Sequence, residues 1–102
     1  MAEKLGIYVI GSEDTVIGFG LIGLSGQVVR TVKDAQTLLS EVAQKKEYKI
    51  IIISSRLIDG IEEFVTDYRL NPENPVLVEI PDETGAAVYE SVKDLLKRSI
   101  GI

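Results

Sequence analysis

The sequence predicts an α/β fold: a small open sheet of four parallel strands in the order 2-1-3-4, with helices on both faces and a further helix at the C-terminus. Three observations predict it. Short apolar runs alternate with segments of helical period along the whole chain. The clearest run, Ile50-Ile51-Ile52-Ile53, is apolar at every position, as a strand covered from both sides must be. Strict strand–helix alternation also calls for right-handed crossovers between parallel strands.

Leu5-Gly6-Ile7-Tyr8-Val9-Ile10, ending at Gly11, reads as the first strand, buried on both faces. The next segment, Val16 to Leu24, holds almost no polar residue. On a helix, Val16, Ile17, Phe19, Leu21, Ile22 and Leu24 point nearly all the way round, the pattern of a helix buried on every side, which reads either as a short helix followed by a buried loop or as a surface that docks on another subunit. Three glycines weaken it by about 1 kcal/mol each relative to Ala, so packing must hold it. Gln27-Val28-Val29-Arg30 reads as the second strand. Ala35, Leu38, Leu39, Val42 and Ala43 then follow the i, i+3, i+4 rhythm of an amphipathic helix. Thr31 with Asp34 resembles a capping box, and Lys45-Lys46 suit the negative C-terminal end. Lys49 to Ser54 is the third strand. Leu57, Ile58, Ile61, Phe64, Val65 and Tyr68 form one helical stripe, stopped by Asn71-Pro72. Pro75 to Pro81 is the fourth strand, its prolines at the ends where they are tolerated. Val88, Val92, Leu95 and Leu96 form the last stripe, closed by Lys97-Arg98. One domain is expected, with residues 1–81 as the parallel core and residues 82–102 as its C-terminal helix.

Composition narrows the function. The chain has 102 residues, 45% hydrophobic and 26% charged, with a net charge of −5 and no long block of one sign. Nucleic acid and anionic membrane surfaces reward clustered Lys and Arg, so neither is expected as the main partner. Cysteine and histidine are both missing. That excludes disulfides, Cys/His metal sites, phosphocysteine chemistry and the commonest general acid–base side chain. The N-terminus leads straight into a strand without an apolar signal region, and no run is long enough to span a membrane, so a cytoplasmic location is expected.

Two chemistries usual for this architecture can be tested on the residues. Gly18, Gly20 and Gly23 spell G-x-G-x-x-G, a dinucleotide fingerprint. That fingerprint belongs in the tight turn directly after strand one. Here Gly18 follows Gly11 by seven residues, the second strand ends in Arg30 and not in a ribose-binding acid, and the second half of the fold is lacking. The glycines read better as sites of close backbone approach or of a tightly packed interface. There is no P-loop either. A phosphoacceptor receiver needs acids after strand one, which Glu13 and Asp14 supply, and an aspartate at the end of strand three. Ser54 stands there, and Asp59 is too far along. Glu13 and Asp14 therefore read as residues of a helix N-terminus, capped by Ser12 or Asp14. Glu62 and Glu63 point to different sides of a helix and form no acid–base dyad. Arg56 is expected to pair with Glu13, Asp14 or Asp59. No catalytic group, cofactor or metal site is predicted.

The segment Ile10-Gly11-Ser12-Glu13-Asp14-Thr15-Val16-Ile17-Gly18-Phe19-Gly20-Leu21-Ile22-Gly23-Leu24 resembles the opening of the F subunit of the V-type and A-type rotary ATPases, a strand followed by G-[DS]-x-D-[TS]-V-x-G-F-x-L-x-G. Pro75-Val76-Leu77-Val78-Glu79-Ile80-Pro81 resembles that family's P-[VA]-[IVL]-[IVL]-E-I-P. Val92 to Ile102 resembles its C-terminal helix and tail, and Ile50 to Ile53 its central strand. The chain departs from the family at Gly20, where many members carry a larger residue, often Arg. Its ending at Ile102 points to the bacterial or archaeal type.

The resemblance implies a flavodoxin-like or receiver-like sheet in a non-catalytic component of the central stalk. Such a component binds the coiled coil of the D subunit, turns inside the A/B head and connects to the membrane rotor. It would help couple ATP hydrolysis or synthesis to proton or sodium transport, peripheral to the membrane and without insertion. On this reading Gly18, Phe19, Leu21 and Gly23 pack near the stalk partner, joined by Val88, Val92, Leu95 and Ile100 of the last helix, a group that fits core packing against the sheet equally well. That helix can change position in the family. The competing reading is a free-standing regulatory or ligand-binding receiver-like domain without a phosphoacceptor.

Overall fold

The computed structural model describes residues 6–99. Four strands, β1 (Ile7–Gly11), β2 (Ser25–Val28), β3 (Ile50–Ser54) and β4 (Val76–Ile80), form one sheet in the order β2-β1-β3-β4. All three pairings are parallel. The helices are α1 (Glu13–Gly20), α2 (Val32–Lys45), α3 (Glu62–Leu70) and α4 (Asp82–Ser99), with a 3₁₀ turn at Ser55–Ile58. The predicted class and strand order are therefore those observed.

Register divides the strands into two faces. Tyr8 lies beside Ile51, Ile10 beside Ile53, and Ile51 beside Leu77. These residues meet Leu39, Val42, Val65 and Tyr68 from α2 and α3 in a single buried core. Burying each such side chain contributes roughly 1.5–3 kcal/mol. α2 forms where its periodicity predicts, and its buried positions are Ala35, Leu39, Val42 and Ala43. Thr31 caps it, its hydroxyl accepting from the Asp34 amide at 3.1 Å. Tyr68 fastens the end of α3 to the start of β4: its hydroxyl donates to the Pro75 carbonyl at 2.8 Å.

The opposite face carries Val9, Gly11, Ile50, Ile52, Val76 and Val78. α1 packs on its β1–β2 half, and α4 packs mainly on α1, not on the strands. Ile50 and Ile52 are thus half-buried, and the isoleucine run is fully covered on one side only.

Several expected boundaries move. Strand one starts at Ile7; Leu5 lies outside the described residues. Strand two starts at Ser25 and stops at Val28, because pairing of Tyr8 with Ser25 fixes its register two residues earlier than the apolar pattern indicates. Arg30 lies beyond it. The all-round apolar helix ends at Gly20. Leu21 to Leu24 form a turn in which the Leu24 amide donates to the Phe19 carbonyl at 3.1 Å. Gly23 takes φ +96° there, a conformation that favours glycine. This segment is not buried on every side: Ile17, Leu21 and Ile22 are exposed, Ile22 by 54%. The stripe from Leu57 to Tyr68 is also broken. Its first two residues are buried by the 3₁₀ turn, and Gly60 at φ +90° redirects the chain before α3.

Candidate partner-binding surface

Open parallel sheets hold ligands at the carboxyl ends of their strands, where the strand order reverses. In this chain that place lies between β1 and β3, and protein fills it. Ser12 caps α1: its hydroxyl accepts from the Thr15 amide at 3.4 Å and lies 3.1 Å from the Thr15 hydroxyl. A Cβ on Gly11 would stand 2.7 Å from Ser54 Oγ and 2.9 Å from Thr15 Cγ2. Gly85, in the first turn of α4, closes the top by packing directly against Thr15. Ser54 is wholly buried, and its hydroxyl has no hydrogen-bond partner. Glu13 and Asp14 face solvent. Among the described residues no group of three or more acidic side chains is placed to hold a metal ion.

Arg56 pairs with Asp82, Nε to Oδ2 at 2.8 Å, and not with Glu13, Asp14 or Asp59. The reason is that Asp82 stands in the first turn of α4, directly after β4, over the end of β3. An open hollow of about 560 Å³ beside this pair is lined by Ser55, Arg56, Asp59, Glu62, Arg69 and Glu79, among others. Both of its guanidinium groups are engaged, Arg69 with Glu79 at 3.1 Å. Its mixed charge selects no ligand class.

The three glycines of the G-x-G-x-x-G string separate. Gly18 is buried where α1 crosses α4. A Cβ there would lie 2.5 Å from the Gly85 carbonyl oxygen and 3.0 Å from the Tyr89 amide nitrogen. Gly20 and Gly23 border open space. Close approach, one of the two roles expected of the string, is therefore the work of Gly18, with Gly85 opposite it.

This crossing sets out an apolar surface. Contacts advance from Thr15 against Gly85 to Gly18 against Tyr89, so the two helices run the same way. Leu21 and Ile22 at the end of α1 accordingly lie toward the distal half of α4. The eight residues of α1 span about 12 Å and the 18 of α4 about 27 Å, so α4 overhangs its support. On the overhang Leu95 and Leu96 are exposed and Val92 is half-buried. Phe19 and Val88 are half-buried nearer the crossing. Ile100 lies outside the described residues. Charged residues of α4 pair among themselves, Glu90 with Lys93 at 3.7 Å and Asp94 with Arg98 at 3.2 Å. Such pairs support a helix by a few tenths of a kcal/mol each, roughly 0.2–0.5. No helix among the described residues is long and apolar enough to cross a membrane.

A second apolar area lies on the sheet itself. Val76 and Val78 stay exposed on the α1 side of β4, Val76 by 62%. The sequence holds no sign of it, because an apolar run looks the same whether or not a helix covers its second face.

Residues 7–100 match the family model described as ATP synthase (F/14-kDa) subunit. The chain is similar to the F subunit of the A-type ATP synthase of Methanothermobacter thermautotrophicus, with 35% identity covering 94% of this chain and 92% of that one. For the protein of the same description from Methanosphaera stadtmanae the identity is 34%, covering 97% and 95%. For that of Methanocaldococcus jannaschii it is 33%, covering 92% and 93%.

Proposed function

We propose, from the premise that this chain belongs to the family of the ATP synthase (F/14-kDa) subunit, that it is a non-catalytic rotor component that docks on the coiled coil of the D subunit. The observation that carries this reading is the exposure of Leu21 and Ile22 at the end of α1 and of Leu95 and Leu96 on the overhanging half of α4. Exposed apolar side chains gathered beside charged ones mark protein–protein contacts. A coiled coil offers an elongated apolar-and-charged surface to meet them. In this assignment Leu21, Leu95, Val92 and Phe19 touch or border the partner. Gly18 holds the crossing that presents them, and Gly23 shapes the turn beside them. Val88 sits between surface and crossing.

The filled crevice fits the same reading, since a protein that transmits torque needs rigidity where an enzyme needs space. Bound to its coiled-coil partner, the chain turns within the A/B head, meets the membrane rotor, and helps couple ATP hydrolysis or synthesis to ion transport. It lies at the membrane periphery through its complex. Residues 82–99 serve as the C-terminal helix of the same domain.

Co-expression with the cognate D subunit tests this. A stable one-to-one complex is expected on size exclusion. Leu21→Asp combined with Leu96→Asp is expected to weaken it at least tenfold, because each buried leucine supplies about 1.5–3 kcal/mol, while both exposed positions leave the isolated fold intact. If the unaltered chain forms no such complex, the proposal fails. If the double variant binds normally, the assigned surface is wrong.

A further inference from the structure

We draw no further inference here: the strongest candidate, the half-bare strip of the sheet over β3 and β4 where Val76 and Val78 stay exposed beside half-buried Ile50 and Ile52, is an unpartnered apolar face, and nothing in the structure shows what covers it.

Discussion

Gly18 and Gly20 are two residues apart in one helix, yet a methyl group added at each meets opposite surroundings. At Gly18 it would press on the Gly85 carbonyl and the Tyr89 amide; at Gly20 it would meet nothing within 4 Å. Gly18→Ala is therefore expected to destabilise the fold by about 1–3 kcal/mol, the usual cost of overpacking. Gly20→Ala should stabilise it by roughly 0.5–1 kcal/mol through helix propensity and a less free unfolded chain. Urea unfolding midpoints compare the two, and equal shifts would refute the close crossing. Tyr68 gives a second residue-scale outcome. Burial pushes its phenol up from 10.0 to about 12, with the Arg69 charge pulling it partly back. The folded state thus holds this proton more tightly than the unfolded state. Stability is undiminished below pH 10 and falls as pH rises from 10 toward about 12, because only the unfolded chain ionises there. Tyr8, raised by burial and by Tyr48, acts in the same direction. Tyr68→Phe should lower stability at neutral pH by about 1 kcal/mol, having lost the bond to Pro75, and should shrink the alkaline fall without abolishing it. Thermal melts across that range read both effects.

At the scale of the element, legibility depends on whether the stop signal is local. α2 is legible from end to end, since Thr31, the apolar rhythm and Lys45-Lys46 all lie within it or at its ends. Thr31→Ala should cost about 1 kcal/mol. Ser12→Ala should cost less, because its capping bond at 3.4 Å is longer than the 3.1 Å bond of Thr31. Denaturation of the two single variants checks the order, and a larger loss at Ser12 would contradict it. α1 is not legible at its end: Leu21 and Ile22 continue the apolar run, and the turn is made by the backbone of Gly23. Strand two lies two residues earlier than its apolar pattern because Ser25 and Gly26 carry no apolar signal, and pairing with β1 alone sets their place. The start of α4 is legible, but the packing of its Gly85 against Thr15 is not, since no local pattern reports it. The candidate surface is therefore half legible. The sequence points to Leu21, Val92 and Leu95, whereas Ile17, Ile22 and Leu96 carry the same apolar signal as core residues and the bare strip over β4 carries none of its own.

For the whole molecule, the two faces of the sheet are unequal. One carries a continuous buried core of strand, α2 and α3 side chains, and neither α1 nor α4 contributes to it. The α1–α4 layer is therefore attached to the sheet apart from that core. Amide exchange makes the inequality measurable. Opening of α4 leaves the main core closed, so its slowest amides should exchange with a lower free energy than those of β3 and α2, which wait for global unfolding. Native-state hydrogen exchange in rising denaturant resolves the two classes, and a single merged class would contradict the division. The arrangement also gives the Gly18–Gly85 contact a mechanical meaning. A load applied at the tip of α4 reaches the strands through α1, through the covalent join to β4 at Pro81 and through the Arg56–Asp82 pair, and at the Gly18–Gly85 crossing it meets two backbones in direct contact.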